Sequence, residues 1–178
     1  VNIRPDVTVI QDVIIDTRRD IHKHPELGFR EFRTAGLVAD KLESLGIEVQ
    51  REVGRTGVVG TLRGVEPGPV IALRADMDAL PMAETGNVPY KSVNEGGMHA
   101  CGHDGHTAML IGAAEILSKM QDRLKGTVKF IFQPAEEGQG GARLMIEEGA
   151  LRDVDEIYGI HLWNYQKFGT VGIKSGPV

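Results

Sequence analysis

The sequence predicts an α/β fold in which helices layer against a central, mostly parallel but mixed sheet. Two segments repeat apolar side chains at helical spacing, several short β-branched runs bounded by Gly and Pro read as strands, and the two kinds of segment alternate. A length of 178 residues suits one globular domain, and 41% apolar with 25% charged residues supplies a core and excludes wholesale disorder.

The first helix is expected over Val9 to Lys23, ending before Pro25 because a residue preceding proline avoids helical angles. The second covers Phe29 to Leu45. Its side chains Phe32, Ala35, Ala39 and Leu42, flanked by Val38 and Leu45, form an i, i+3, i+4 face, and Gly46 stands where a left-handed terminator belongs. Glu48 to Val53 and Gly57 to Leu62 read as strands joined by the turn Gly54-Arg55-Thr56-Gly57. A second turn at Val65 to Pro69 leads into Val70 to Arg74, whose apolar run suits a deeply buried strand. A loop from Asp76 to His103 precedes a helix over His106 to Met120, with Met109, Ala113, Ile116, Leu117 and Met120 on one face. Then come a strand over Thr127 to Phe132, a short helix over Gly140 to Glu148, and strands at Glu156 to His161 and Thr170 to Ile173.

Composition narrows the function. The net charge of −5 and the absence of a basic stretch argue against nucleic acid. No run approaches the roughly 18 apolar residues of a membrane span; the best, Val70 to Leu80, is broken by Arg74, Asp76 and Asp78. Val1-Asn2-Ile3-Arg4-Pro5 lacks the layout of a secretory signal. A lone Cys101 forbids an internal disulfide and fits a reducing compartment, so the cytoplasm is the expected location.

The sharpest local anomaly is Met98-His99-Ala100-Cys101-Gly102-His103-Asp104-Gly105-His106, which holds three of the six histidines and the only cysteine. Thiolate and imidazole are good ligands for borderline divalent metals. In an extended loop, the i, i+2 spacing of Cys101 and His103 would turn both toward one ion. A buried free cysteine among surface histidines is the plainer alternative. In Gln133-Pro134-Ala135-Glu136-Glu137-Gly138, adjacent carboxylates directly follow an apolar strand. On extended backbone they would point to opposite sides, one holding a metal while the other reaches a water; a solvated acidic turn is the bland reading.

Arg74-Ala75-Asp76-Met77-Asp78-Ala79-Leu80-Pro81 also follows a strand, and open α/β sheets gather ligands and catalytic groups at strand carboxyl ends. Asp76 and Asp78 could ligate or support a ligand there, or form a polar turn. His161 closes the run Ile157-Tyr158-Gly159-Ile160, where a satisfied core histidine is the ordinary reading. The four anomalies coincide at strand ends, which points to one site built from several loops on one edge of a sheet. His22 and His24 read as exposed or capping groups. Gly138-Gln139-Gly140-Gly141 lacks both the dinucleotide fingerprint and a P-loop lysine, so phosphate binding is not expected.

With these motifs in place the chain resembles the metal-dependent amidohydrolases: hippurate hydrolases, N-acyl-amino-acid amidohydrolases and indole-acetyl-amino-acid hydrolases, within the wider aminoacylase/carboxypeptidase metallopeptidase clan. The resemblance runs from about residue 12 to Val178. It rests on His24-Pro25-Glu26-Leu27-Gly28-Phe29, Arg74 to Pro81, Met98 to Asp104, Gln133 to Glu137 and Gly159-Ile160-His161, in that order. It implies a layered α/β/α, zinc-peptidase-like catalytic domain. It implies Cys101, His103, Glu137 and His161 as metal ligands, with His103 shared between two ions, and Glu136 as the general base.

Asp78 matches the aspartate that orients a ligand histidine in the wider clan. The corresponding ligand position here is Asp76, so Asp78 is placed behind the ligands. The implied cofactor is one or two divalent ions, zinc first, with manganese, nickel or cobalt as alternatives. The implied substrate is an N-acyl amino acid or small peptide, cleaved by a metal-activated water.

Family members are much longer, with a dimerisation insert and a final histidine ligand. Residues 1–178 are therefore expected to be the N-terminal part of a catalytic domain, slow or inactive alone, from a protein that is a homodimer or tetramer at full length. Two other classes stay open: a thiol hydrolase with Cys101 as nucleophile and His103 or His106 as base, and a non-catalytic metal-binding or partner-binding domain.

Overall fold

The computed structural model describes residues 4–173; the sequence readings at Val1–Ile3 and Gly176–Val178 fall outside them. Five strands, β1 (Glu48–Val53), β2 (Gly57–Arg63), β3 (Glu66–Asp76), β4 (Lys125–Gln133) and β5 (Glu156–Gly159), form one sheet in the order β1-β2-β4-β3-β5. β2 pairs antiparallel with β1 and β4, whereas β3 pairs parallel with β4 and β5. A parallel pair needs a long crossover. Between β3 and β4 that crossover contains the helix α4 (His103–Ser118). The register sets Asp76 beside Gln133 and Arg74 beside Gly159, so the chain leaves all three parallel strands at one edge of the sheet.

Helices α1 (Pro5–Val9), α2 (Gln11–Lys23) and α3 (Phe32–Ser44) precede the sheet, and α5 (Gly141–Glu147) follows β4. Strand alternation explains the layering. Phe130 and Phe132 of β4 pack with Val38, Ala39, Leu42, Leu110, Ile111 and Ala114 on one side. Ile131 packs with Val53, Val59, Ala72, Met145 and Ala150 on the other. Truncating the fully buried Leu42 to alanine should cost about 2–5 kcal/mol. Gly112 lets α2 approach α4 closely, since a Cβ there would lie 2.7 Å from Ile14 Cδ1.

Several elements differ from the sequence reading. The first helix is broken at Ile10. Phe32, expected on the buried face of α3, is exposed. β3 starts earlier, because the backbone at Gly64 and Val65 bonds Gly126 O and Leu124 O, turning the expected Pro-rich turn into an irregular strand entry. α4 begins at His103 rather than His106. Its first turns are buried nearly all round between sheet and helices, while Met109, Ala113, Ile116 and Leu117 are only partly buried. Thr170–Ile173 forms no strand: it is exposed and no sheet edge pairs with it among the described residues. No helix among the described residues is long and apolar enough to cross a membrane.

Candidate metal centre

The edge where β3, β4 and β5 end gathers the candidate side chains. β3 delivers Asp76 and then Asp78, held in register by Met77 N–H donating to Gln133 O at 2.9 Å. β4 runs into the turn bearing Glu136 and Glu137. β5 ends two residues before His161. The crossover supplies Cys101 and His103 on either side of Gly102, whose left-handed backbone (φ 89°) caps the start of α4.

His103 is the hub. Its ring is 1% exposed, and neither nitrogen makes a hydrogen bond among the described residues. Nδ1 lies 3.3 Å from Asp78 Oδ1. Nε2 faces Asp76 Oδ1 at 3.6 Å, Glu136 Oε2 at 3.7 Å and Glu137 Oε1 at 3.7 Å. Burial opposes charge on this ring, but the surrounding Asp78, Asp76 and Glu137 carboxylates outweigh it and raise its pKa. Two further sets of ligand atoms converge with His103, one with Cys101 and His161 and one with Asp76 and His106; within each set all atoms lie within 4.8 Å. A buried imidazole with two unpartnered nitrogens among carboxylates and a thiol is the donor set and the unsatisfied polarity that a divalent cation fits.

Asp78 does two jobs at once. Besides facing His103, its Oδ1 and Oδ2 accept the backbone N–H groups of Glu136 (2.9 Å) and Glu137 (3.0 Å). Burial works against its ionisation, yet the His103 ring and those two N–H groups hold its pKa below the usual carboxylate range. Asp76 receives His106 Nδ1–H on Oδ1 at 2.6 Å and Arg74 Nη1 on Oδ2 at 2.7 Å. Burial would raise its pKa, but the His106 bond and the His103 and Arg74 charges bring it down to about 2. His106 Nε2 in turn accepts the N–H of Leu162 at 2.8 Å, which assigns the proton to Nδ1 and ties the segment bearing His161 to α4.

Cys101 Sγ and His161 Nε2 approach to 3.4 Å. Burial first, then the Glu137, Glu136 and Asp76 carboxylates, push the Cys101 thiol up to about 12.

All six residues singled out from sequence, Asp78, Cys101, His103, Glu136, Glu137 and His161, therefore meet at this edge, but two details of the sequence reading are corrected. Glu136 and Glu137 do not point to opposite sides. They lie in a turn after Ala135, whose φ is +47°, and both carboxylates face the same His103 nitrogen. Cys101 and His103 converge through the left-handed Gly102 and a helix start, not through extended backbone.

His106, which the sequence offers only within the Met98–His106 cluster and as the base of a thiol hydrolase, instead bonds Asp76. With α4 starting at His103, His106 lies one helical turn after that residue. His22, read as exposed or capping, is buried between Asp104 Oδ2 (2.7 Å) and Glu84 Oε1 (3.2 Å). The Asp104 bond, opposed by burial, raises its pKa.

Comparisons with known proteins identify the family. Thermostable carboxypeptidase 2 of Saccharolobus solfataricus is 50% identical over 99% of this chain and 46% of its own length. The N-acyl-L-amino acid amidohydrolase of Geobacillus stearothermophilus is 46% identical over 97% of this chain and 47% of its own length. The crystal structure of the Bacillus subtilis YXEP protein, described as a dinuclear metal-binding peptidase of the M20 family, superposes with a TM-score of 0.91 and 47% identity over 96% of this chain and 48% of that one. The chain spans about half the length of the curated relatives it matches. Residues 72–176 match the model of peptidase family M20/M25/M40, and with the fold and the relatives this places the chain in that family.

Proposed function

We propose that these residues form the metal site of an amidohydrolase that cleaves N-acyl amino acids or small peptides. The observation that carries the reading is His103: a fully buried imidazole, without a hydrogen bond on either nitrogen among the described residues, surrounded by four carboxylates and adjoining a thiol and a second imidazole. Cys101, His103, Glu137 and His161 are the ligands in this proposal, with His103 facing both halves of the site. The mixed thiolate, imidazole and carboxylate set favours zinc, and manganese, nickel or cobalt fit the same atoms less selectively. The names of relatives, among them an N-acyl-L-amino acid amidohydrolase and an N-acetylcysteine deacetylase, support the substrate class. The share of those relatives that the chain spans supports reading it as one part of a longer catalytic unit.

Divalent ions held here would polarise the scissile carbonyl and lower the pKa of the attacking water. The remaining work falls to the chain. Glu136, the more exposed of the two acids, is free to accept the proton of the attacking water and deliver it to the leaving nitrogen. Glu137 is thereby left to bind, and Asp78 holds both residues by their backbone while facing His103. His106 and Asp76 keep the His161 segment against α4.

A thiol hydrolase has one supporting observation, the 3.4 Å approach of Cys101 to His161. A nucleophilic cysteine needs a depressed pKa, and burial, together with the carboxylates here, pushes the other way. The same carboxylates make a cation welcome, and a cation would ionise the thiol. The test is hydrolysis of an N-acyl amino acid panel by the full-length protein after chelation and after metal is restored. Loss and return of activity support the metal reading. Activity that survives chelation but not alkylation of Cys101 overturns it in favour of the thiol.

A further inference from the structure

Glu31 precedes α3, 104 residues before the acidic turn in sequence, and is fully buried. Its Oε1 accepts the N–H of Ala135 at 2.8 Å, and its Oε2 accepts the hydroxyl of Thr56 at 2.5 Å. Ala135 is the residue immediately before Glu136. It is buried and holds a left-handed backbone, φ +47°, which a residue with a Cβ adopts only when its surroundings enforce it. The enforcement is visible on both sides of its peptide units. Glu31 holds the N–H, and Gly141 N–H holds the carbonyl at 3.2 Å. Gly141 can do this because it lies against Pro134, where a Cβ would stand 1.8 Å from Pro134 O.

Three consecutive amides, of Ala135, Glu136 and Glu137, are therefore received by two buried carboxylates, Glu31 and Asp78. Asp78 faces the His103 side of the turn. Glu31, at the start of α3, also holds Thr56 of the β1–β2 turn, so its grip ties the acidic turn to the antiparallel half of the sheet. The left-handed step at Ala135 is what departs from the extended alternation that would have sent the two acids to opposite sides.

We propose that Glu31 is a positioning residue: by holding Ala135 in its left-handed conformation, it sets the direction in which Glu136 and Glu137 meet His103. The inference rests on the reading of those two acids as the working groups of the metal site. A carboxylate is not required as such. A glutamine could accept the Ala135 N–H with its oxygen and donate its amide to Thr56 Oγ, whereas a methionine fills similar space with no acceptor of comparable strength.

The test uses the 178-residue chain with Glu31→Met, Glu31→Gln and Ala135→Gly, read by backbone amide exchange without metal and by zinc affinity against a chromophoric chelator. In Glu31→Met, protection of the Ala135 and Glu136 amides should fall by more than roughly tenfold while β4 stays protected, and zinc affinity should fall about 10–100-fold, the usual cost of losing a residue that orients ligands. Glu31→Gln should keep both close to wild type. Added to Glu31→Met, Ala135→Gly makes the left-handed conformation intrinsically accessible and should recover much of the lost affinity. Thermal stability of Glu31→Met separates packing from positioning, because methionine removes a buried charge and need not lower it.

Unchanged amide protection and affinity in Glu31→Met overturns the proposal, as does a loss that Ala135→Gly leaves untouched. If Glu31→Met does not fold, Thr56→Val removes the donor on Oε2 and should lower zinc affinity by about threefold or more through the same loosening; no change overturns the proposal. A wild-type chain that takes up no zinc yet shows the expected amide exchange contradicts the proposed function and leaves the Glu31 grip intact.

Discussion

Cys101 Sγ stands 3.4 Å from Nε2 of His161, 60 residues away in sequence. Two unrelated pieces of backbone bring them together: the left-handed Gly102 ahead of α4 and the parallel register of β5 on β3. The contact is further steadied by His106, which accepts the Leu162 N–H.

The first prediction concerns that thiol. Cys101→Ser exchanges a soft, strongly coordinating sulfur for a hydroxyl of similar size. Zinc affinity should drop by more than roughly tenfold with the fold retained, since ligand and orienting losses are of at least that size. Competition against a chromophoric chelator measures it. Equal affinity in the mutant would make Cys101 a bystander.

Glu136→Gln tests the division of labour between the two acids. The amide keeps the shape of the side chain but neither takes nor gives the proton. In the full-length protein, turnover should fall about 10²–10⁴-fold, the usual worth of a general acid–base group, with metal content unchanged. Retained turnover would remove Glu136 as the base.

Asp78 faces His103 Nδ1 and grips two amides of the acidic turn, and its proposed role is to hold the ligands from behind. Asp78→Asn replaces one acceptor oxygen by an N–H₂ group that opposes a backbone donor. Metal affinity should fall about 10–100-fold, as for other groups that orient ligands, and hydrogen exchange at the Glu136 and Glu137 amides should accelerate. Affinity and exchange both at wild-type values would show that Asp78 orients nothing.

His99 makes a pH prediction. Burial keeps its ring neutral and brings its pKa from the ordinary 6.5 down to about 4. Between those values the unfolded chain binds a proton that the folded chain does not, so this group makes stability rise with pH by up to ~1.4 kcal/mol per unit. Its stabilisation is complete above about 6.5 and disappears as pH falls toward 4. His22, raised by its Asp104 bond, acts in the opposite sense above 6.5. Replacing His99 with Phe should flatten the rise of Tm between pH 4 and 6.5 in metal-free protein, measured by calorimetry. An unaltered slope assigns that titration to other groups.

Much of this site was legible in the sequence, for a physical reason. Cysteine, histidine and paired glutamates at strand ends are uncommon where they serve no purpose, and a parallel sheet gathers such ends at one edge. What was not legible depended on backbone conformation. Nothing in the residue type of Ala135 announces a positive φ, so Glu136 and Glu137 read as opposed when they converge on His103. Gly102 could be read as a turn residue but not as the cap that starts α4 three residues early. Phe32 kept its helical spacing and still faces outward, because the core takes Val38, Ala39 and Leu42 from that helix. Glu31 and His22 looked like ordinary polar residues, since burial created by a partner 104 or 82 positions away leaves no local trace.

The most direct test of the central claim is metal content per chain of the purified 178-residue protein, measured by elemental analysis beside Cys101→Ser after equilibration with zinc. Assembly of a divalent-metal site from Cys101, His103, Glu137 and His161 predicts one or two equivalents in the wild-type chain and a clear loss in the mutant. No bound metal under replete conditions, or equal content in both proteins, would contradict it.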